Sequence, residues 1–317
     1  MYYLGVDVGG TNLVAGLVDE TGTILRKEQT KSEGSRPDTA LCADIFRLCS
    51  DAADNAGVRR EDIASVGMGI PGEVNRDTGV IVDTPNASFH NTEIRKFFQS
   101  RWNLPVYLEN DGNCAAVGEY WVGAAKGCTS AVVVTLGTGI GGGILNENQL
   151  LLGVNGAGGE IGHTVIEMDG LPCNCGRRGC WETYASATGL IRMTRDAMAG
   201  HPESALCAIP VERVEGRTAF DCAAKGDPTA MAVVTRYVTY LAAGITNLVN
   251  IFQPEVVCLG GGISSAPEEL LLTPLRELVA RDRYTKGAGG QTAILPAALG
   301  NDAGIIGAAM LGKLREN

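Results

Sequence analysis

The sequence predicts an α/β protein with two domains. Short apolar segments typical of strands alternate along the chain with longer segments whose apolar residues recur at helical spacing. The chain has 317 residues, 45% of them hydrophobic and 20% charged, which is enough to build two hydrophobic cores. No proline- or serine-rich linker interrupts it, so we expect the two domains to share a cleft rather than to be joined by a tether.

The first part of the chain predicts three strands, a helix and a fourth strand. Tyr2–Val8, Leu13–Val18 and Thr23–Thr30 are apolar or alternating segments separated by glycine-containing turns, and this order predicts a β-meander. Apolar residues at helical spacing over Thr39–Ala56 predict a helix. Ile63–Ile70 has the composition of a buried strand.

The next elements bring several polar residues to the end of a strand. Glu93–Trp102 predicts a short helix, and Val106–Leu108 predicts a strand that delivers Glu109, Asn110 and Asp111 at its carboxyl end. Asp111 is also a candidate N-cap for a helix that runs to about residue 124.

The second part of the chain repeats the beginning of the first. The segment 131–145 (AVVVTLGTGIGGGIL) has the same plan of strand, glycine turn and strand as residues 2–18, which indicates a weak internal duplication. The further predicted elements are helices over Glu182–Ala199, Pro228–Phe252, Glu268–Asp282 and Asn301–Leu314 and strands over Glu255–Leu259 and Thr292–Leu295.

Charge and hydropathy narrow the classes of function. Lys+Arg number 26 against 36 Asp+Glu, a net charge of -10, so we do not expect a nucleic-acid partner. No apolar run approaches the roughly 20 residues of a membrane-spanning helix, and the N-terminus lacks a basic-then-apolar signal segment. The ten cysteines are therefore predicted to be reduced, in the cytoplasm.

Three glycine clusters follow predicted strands. They are Gly9-Gly10-Thr11-Asn12, Gly137-Thr138-Gly139 and Gly260-Gly261-Gly262. Glycine lets backbone N–H groups approach phosphate oxygens closely, and Thr or Asn adds a further donor. Any one cluster alone is better explained as a tight hairpin, but the shared placement of all three favours nucleotide binding. The candidate contacts are Gly9, Gly10, Thr11, Asn12, Thr138, Gly139, Gly261 and Gly262.

The sequence also indicates how a phosphate group would be bound. GTGIGG at residues 137–142 fits the G-x-G-x-x-G pattern but is followed by a strand rather than a helix, and the chain has no G-x-x-x-x-G-K-[ST] motif. We therefore expect hairpin amides to bind the phosphates. Asp7, directly before the first cluster, is a candidate Mg²⁺ ligand, directly or through water; the alternative is a turn-stabilising aspartate.

A cluster of histidine and cysteines predicts a structural Zn²⁺ site. His163, Cys173, Cys175 and Cys180 have the spacing H-x9-C-x-C-x4-C, and three thiolates with one imidazole form a closed tetrahedral set. A disulfide is disfavoured by the predicted compartment, and unrelated buried cysteines are disfavoured by the clustering. The other seven cysteines are predicted to be small core residues: Cys42, Cys49, Cys114, Cys128, Cys207, Cys222 and Cys258.

Taken together, these residues resemble the ROK family of sugar kinases, and within it the bacterial ATP-dependent glucokinases. The resemblance runs from Gly5 to about Ala309. Its motifs are Asp7-Val8-Gly9-Gly10-Thr11-Asn12, Gly69-Ile70-Pro71-Gly72, Pro85-Asn86, Glu109-Asn110-Asp111-Gly112-Asn113, Leu136-Gly137-Thr138-Gly139-Ile140-Gly141, the block Gly158–Glu182, Pro254-Glu255 and Leu259-Gly260-Gly261-Gly262-Ile263. The Glu-Ile-Gly-His block with its cysteines is the most specific of them.

The resemblance implies a two-domain, actin-like (ribonuclease H-like) ATPase fold with ATP and a sugar in an interdomain cleft. It implies domains over 1–119, with the last helix (301–317) returning to it, and over 120–300, which carries the zinc loop. By matching position, Asp111 is the general base that takes the proton of the sugar 6-hydroxyl. The residues implied to bind the sugar are Asn86, Asn110, Asp111, Glu160, His163 and Glu182. A homo-oligomer, dimer or tetramer, is also implied.

Several alternatives stay open at this point. For Glu160 and Glu182 the alternative to a sugar contact is an ion pair with Arg177 or Arg178, which would make them structural. Fructokinases, N-acetylmannosamine kinases and allose kinases belong to the same family, and Ser88-Phe89-His90 stands where a glucokinase is expected to have a tryptophan-containing turn. A ROK-type sugar-sensing regulator is less expected, because the chain starts directly with its first strand and is acidic.

Overall fold

The computed structural model describes residues 1–33, 36–84, 87–287 and 289–316, and of residues 315 and 316 the backbone only. The strands described are β1 (Tyr2–Val8), β2 (Asn12–Asp19), β3 (Ile24–Lys31), β4 (Ile63–Ile70), β5 (Glu73–Asn75), β6 (Val80–Asp83), β7 (His90–Thr92), β8 (Val106–Asn110), β9 (Ala131–Leu136), β10 (Ile140–Asn146), β11 (Gln149–Leu150), β12 (Val256–Gly260) and β13 (Ala293–Pro296). The α-helices are α1 (Asp38–Asn55), α2 (Ile94–Gln99), α3 (Asp111–Trp121), α4 (Trp181–Ala185), α5 (Ala187–Gly200), α6 (Thr218–Ala223), α7 (Pro228–Phe252), α8 (Leu272–Asp282) and α9 (Ala303–Glu316).

The order of the predicted elements is confirmed, with shifted bounds. β4 and α7 have the predicted bounds, whereas α8 begins four residues later than predicted. The single helix predicted over Glu182–Ala199 is instead α4 and α5. Ser186 has ψ 170°, which breaks the helix, and its hydroxyl then caps α5 by accepting a hydrogen bond from Gly189 N. The sheet of β5, β6 and β7 has no predicted counterpart, because its strands are only three or four residues long.

The described chain forms two compact units. Unit 1 comprises Met1–Val133, Gly143–Gly159 and Ala298–Asn317, and unit 2 comprises Val134–Gly142 and Glu160–Ala297. The domain bounds expected from the sequence, 1–119 with 301–317 and 120–300, stay a prediction. No helix among the described residues is both long and apolar enough to cross a bilayer.

Unit 1 is built on a five-stranded sheet with the order β3-β2-β1-β4-β8. β1 pairs antiparallel with β2 and parallel with β4, and β4 pairs parallel with β8. Side chains alternate across β1, so Leu4 and Val6 belong to the core that includes α1, whereas Tyr3 belongs to the core that includes α3 and α9. Helices therefore cover both faces of the sheet, as the α/β prediction requires.

Two glycines bring α9 close to this sheet. A Cβ on Gly5 of β1 would lie 1.9 Å from the carbonyl oxygen of Ile305, and a Cβ on Gly67 of β4 would lie 1.8 Å from that of Ala308. Only glycine permits this approach of helix and sheet backbones. This close packing holds α9 against β1 and β4, two of the strands whose carboxyl ends contribute to the candidate site.

Unit 2 is organised around the long helix α7. Pro228 occupies the first turn, and Asp227 caps the helix by accepting a hydrogen bond from Ala230 N at 2.7 Å. In this unit β12 pairs parallel with β13.

Five of the seven cysteines predicted as core residues are buried, but Cys128 is half-buried and Cys207 is exposed, because Cys207 lies in a short surface 3-10 helix.

Candidate active site

Two carboxylates lie at the carboxyl edge of the unit 1 sheet. Strand register places Asp7 beside Gly69 and Gly69 beside Glu109, so the parallel strands β1, β4 and β8 end at one edge. Burial, and to a smaller extent the negative charge of Asp111, together raise the pKa of Asp7 from 3.8 to about 6. Asp7 and Asp111 are therefore close enough to interact, which suits a site that binds a cation or moves a proton.

The side chain of Asp111 is accessible to solvent. Neighbouring protein atoms nevertheless displace enough water to raise the pKa of its carboxyl, and a 2.9 Å hydrogen bond from Gly112 N opposes this rise. An accessible carboxylate with a raised pKa is suited to accept a proton from a bound molecule.

The N-cap of α3 is Asn110 and not Asp111, which corrects the prediction. The Asn110 side chain has Oδ1 accepting hydrogen bonds from Gly112 N at 2.9 Å and Asn113 N at 3.3 Å. Asn and Asp are almost equally good caps, so the sequence alone does not separate them. Because Asn110 satisfies the helix end, Asp111 stands at the first helical position with its carboxylate available, and the amide nitrogen of Asn110 is left for another partner.

The first glycine cluster forms an accessible hairpin between β1 and β2. Gly9 N donates to Asn12 O at 2.9 Å, which closes the turn. Ser32, which is fully buried, anchors the hairpin because its hydroxyl donates to Gly10 O at 2.6 Å and its backbone N donates to Thr11 O at 3.0 Å. The hairpin is thus anchored through the carbonyl oxygens of Gly10 and Thr11, while its residues stay accessible to solvent.

The two other glycine clusters come together within unit 2. Gly261 has φ +84°, and a Cβ on it would lie 2.4 Å from Leu136 O, so the loop after β12 packs against the end of β9. Thr138, next to that end, has its carbonyl oxygen held by the Thr188 hydroxyl at 2.7 Å. Thr138, Gly261 and Gly262 are exposed, as phosphate contacts would need to be.

The predicted zinc ligands converge in unit 2. Their donor atoms all lie within 4.8 Å of one another. Nδ1 of His163 lies 3.6 Å from Sγ of Cys173, and Sγ of Cys175 lies 3.6 Å from Sγ of Cys180. Zn–S bonds of about 2.3 Å and Zn–N bonds of about 2.1 Å at a tetrahedral centre separate neighbouring ligand atoms by about 3.5–3.8 Å. The four residues fit Zn²⁺, and the three cysteines are free thiols rather than members of a disulfide.

A short hairpin brings these ligands together. Cys173 N donates to Arg177 O at 2.9 Å, and Gly176 and Gly179 turn the chain with φ +86° and +77°. Next to the ligand Cys180 stands Trp181, which is fully buried and donates from Nε1 to Tyr240 O on α7 at 3.0 Å. This anchor fixes the last metal ligand on one side and Glu182 on the other.

The acids of this block differ in environment. Glu182, in the first turn of α4, accepts a hydrogen bond on Oε2 from Ile140 N at 2.9 Å, so it contacts the loop after β9. Glu160 directly precedes the 3-10 helix Ile161–His163 and is exposed. Among the described residues, neither acid pairs with Arg177 or Arg178, which was the open alternative.

One predicted sugar contact, Asn86, lies outside the described residues. The other predicted residues fall into the two units. Unit 1 holds Asp7, Gly9, Gly10, Thr11, Asn12, Asn110 and Asp111, and unit 2 holds Thr138, Gly139, Glu160, His163, Cys173, Cys175, Cys180, Glu182, Gly261 and Gly262. Three supporting residues were not predicted: Arg76, Ser32 and Thr188. An ordinary arginine, serine or threonine gives no sequence signal of such a role; only their contacts identify these three.

Known proteins share this architecture along its whole length. The family model described as ROK family matches residues 3–315. A glucokinase of Thermotoga maritima is 38% identical over 317 residues, covering 98% of this chain and 97% of that protein. A glucokinase of Halalkalibacterium halodurans is 37% identical over 323 residues, covering 100% and 96%.

A solved structure supports the same assignment. The ROK family glucokinase of Streptomyces griseus, solved in complex with glucose and AMPPNP, superposes with a TM-score of 0.81 at 33% identity and covers 100% of both chains. The fold is accordingly the two-domain actin-like sugar kinase fold, which confirms the predicted fold class. The chain belongs to the ROK family.

Proposed function

We propose that this chain phosphorylates glucose, transferring the γ-phosphoryl group of ATP to the sugar 6-hydroxyl to give glucose 6-phosphate and ADP. The glucokinase relatives and the glucose and AMPPNP complex of one of them support this reaction. The observation that carries it in this chain is the pair of interacting carboxylates, Asp7 and Asp111, at the edge of the sheet. One would hold the cation that accompanies ATP, and the other would accept the proton.

Asp111 is the proposed general base. The sugar oxygen forms the new bond to phosphorus, the bond from phosphorus to the ADP oxygen breaks, and the hydroxyl proton passes to the Asp111 carboxylate. Its accessible position supports this role. Its raised pKa also supports it, because a carboxylate with a higher pKa is a stronger base towards the hydroxyl proton. Because the transition state of phosphoryl transfer is loose, positioning of the hydroxyl contributes more than its deprotonation.

The sugar hydroxyls are proposed to bind Asn86, Asn110, Glu160, His163 and Glu182. Asn110 has its amide nitrogen free of the helix cap, which supports its use as a donor. His163 turns Nδ1 towards the cysteine sulfurs, which leaves Nε2 for a hydroxyl.

The phosphates of ATP are proposed to bind the glycine hairpins. Gly9, Gly10, Thr11, Asn12, Thr138, Gly139, Gly261 and Gly262 are the proposed contacts. Asp7 would hold Mg²⁺, directly or through water, and the cation would neutralise phosphate charge. The anchoring of the hairpin by Ser32 supports this arrangement, because fixed amides need no reorganisation when charge develops.

The structural Zn²⁺ is proposed to be held by His163, Cys173, Cys175 and Cys180. When bound, the metal supplies rigidity and selects one histidine tautomer. The residues themselves support this role, because the same loop carries Glu160 and His163 at one end and Glu182 at the other.

The setting of the enzyme completes the proposal. We propose the cytoplasm as its compartment, since ATP is available there, and a homo-oligomer, dimer or tetramer, as its assembly. Nucleic acid is not a proposed partner, given the net charge of -10. The domains are proposed to be 1–119 with 301–317 and 120–300.

The test measures ADP release with ATP and a panel of hexoses: glucose, mannose, fructose, allose and N-acetylmannosamine. Wild type is compared with Asp111→Asn, which keeps the shape of the side chain and removes the base. We expect turnover of glucose that falls by about 10²–10⁴-fold in the variant. If only another sugar is turned over, the chain is a sugar kinase of the same family with a different substrate. If no sugar is turned over, the enzyme assignment is refuted.

A further inference from the structure

A buried ion pair lies directly behind the Asn110–Asp111 segment. Arg76 follows β5 and Glu109 is the penultimate residue of β8, and their side chains are only 10% and 4% exposed. Nε of Arg76 donates to Oε2 of Glu109 at 2.6 Å, and Nη2 donates to Oε1. The contact is thus bidentate, and its geometry is specific to a guanidinium group.

The Glu109 carboxylate also determines the conformation of the next residues. Its Oε1 accepts hydrogen bonds from Asn110 N at 2.9 Å and from Asn113 Nδ2 at 2.8 Å. One donor precedes Asp111 and the other lies on the first turn of α3. A shift of the Glu109 carboxylate would therefore move the backbone that carries Asp111.

The same arginine holds a second segment of unit 1. Nη2 of Arg76 donates to Gly156 O at 3.1 Å, in the glycine-rich loop that leads along the chain to Glu160. Gly156 has φ +84°, and a Cβ on it would lie 1.8 Å from Nη1 of Arg76. Both its conformation and its contact with the guanidinium thus require glycine at this position.

Arg76 is itself fixed by the neighbouring structure. Arg95 donates from Nη2 to Arg76 O at 2.6 Å and from Nε to Val106 O at 3.0 Å. A buried ion pair adds little net stability compared with a well-packed apolar pair, so stability alone is a weak reason for this cluster. Its geometry, which joins the Asn110–Asp111 segment to the loop that leads to Glu160, is the better reason.

We propose that Arg76 is a positioning residue for phosphoryl transfer: through Glu109 it sets Asn110 and Asp111, and through Gly156 it sets the loop that leads to Glu160. The role rests on the proposed function of Asp111. It predicts that damage to Arg76 impairs the use of the sugar more than the binding of ATP.

The first test compares Arg76→Lys with wild type. Lysine keeps the charge but makes no bidentate contact and cannot reach both Glu109 and Gly156 at once. We expect kcat/KM for glucose to fall about tenfold or more, while KM for ATP changes less than about twofold. The matched control is Arg36→Lys, which alters the 2.7 Å ion pair with Asp44 elsewhere in unit 1 and should leave both constants unchanged.

The second test separates the contact from backbone strain. Gly156→Ala and Gly153→Ala both place alanine at positive φ, +84° and +71°, but a Cβ on Gly153 meets only Gly158 backbone atoms at 3.3 Å or more. We expect Gly156→Ala to reproduce the kinetic defect of Arg76→Lys and Gly153→Ala to do so much less. Equal defects in the two alanine variants would contradict the role of the arginine contact.

The closing experiment is backbone hydrogen exchange followed by mass spectrometry on the same variants, which does not depend on turnover. Arg76→Lys should speed exchange in peptides spanning residues 106–115 and 152–159, and Arg36→Lys should not. Faster exchange with a selective loss of glucose kcat/KM supports the proposal. A lower melting temperature with unchanged glucose kcat/KM overturns it. If wild type turns over no sugar, the proposed function fails while the exchange result still decides whether Arg76 holds both segments.

Discussion

Replacing Asp7 with asparagine should stabilise the fold at neutral pH while it impairs activity. Asp7 is largely shielded from water near the negative charge of Asp111, and both effects raise its pKa to about 6. Among the described residues, no donor forms a hydrogen bond or ion pair with its carboxylate. An ionised Asp7 is therefore an energetic cost to the folded state, and asparagine removes the charge at almost constant shape.

The size of the effect follows from the pKa. A rise from 3.8 to about 6, at about 1.4 kcal/mol for each pH unit, corresponds to about 3 kcal/mol. Because the folded state binds the proton more tightly than the unfolded state, the cost is complete above about pH 7 and disappears as the pH falls through 6 towards 3.8. The expected stabilisation by Asp7→Asn is thus about 3 kcal/mol at pH 8 and about half of that at pH 5.

Thermal unfolding at pH 8 and pH 5 measures this difference. Asp54→Asn, at an exposed position on α1, is the control and should change the melting temperature little at either pH. Asp111→Asn should raise the stability of unit 1 by a smaller amount, since removing its charge lowers the pKa of Asp7 only in part. No stabilisation by Asp7→Asn at pH 8, or the same stabilisation at both pH values, would refute the reasoning.

Three further outcomes are expected. Cys175→Ser should release zinc and lower the melting temperature, whereas Cys207→Ser, at an exposed cysteine outside the cluster, should do neither; metal analysis with calorimetry checks both. Thr188→Val removes the 2.7 Å hydrogen bond to Thr138 O and should raise KM for ATP about fivefold in steady-state kinetics, with KM for glucose unchanged. Glu119→Gln should destabilise the protein by about 2–4 kcal/mol in urea unfolding, because this buried carboxylate accepts hydrogen bonds from three backbone N–H groups.

The features that were predicted well are those whose sequence signal lies in neighbouring residues. The long apolar stripe of α7 and the buried run of β4 each dominate their segment, so both bounds were predicted correctly. The zinc cluster is equally local, because four residues of metal-binding type stand within 18 positions and the hairpin between them is turned by glycines.

Contacts between residues that are far apart in the chain were not predicted. Arg76 and Glu109 are 33 residues apart in the chain, and nothing in the sequence around Arg76 separates a buried arginine from an exposed one. The cap of α3 was assigned to the wrong residue for a related reason. Asn110 and Asp111 have similar capping preference, and only the backbone conformation at Asn110, with ψ 146°, decides between them.

The acids of unit 1 separate into two kinds, and the difference points to function. Glu109 and Glu119 are more deeply buried than Asp7, yet both carboxylates have hydrogen-bond donors. Glu109 accepts from the Arg76 guanidinium group and from backbone and side-chain amide N–H groups. Glu119 accepts from three backbone N–H groups. Within the part of the chain that the structure describes, Asp7 has no such partner, and its pKa is raised beside a second carboxylate. The described residues thus satisfy the two fully buried acids of unit 1 but give the half-buried Asp7 no positive partner, which suits a site for a bound cation. If Mg²⁺ with a nucleotide supplies it, adding both should stabilise wild type more at pH 8 than at pH 5, and Asp7→Asn should lose that difference.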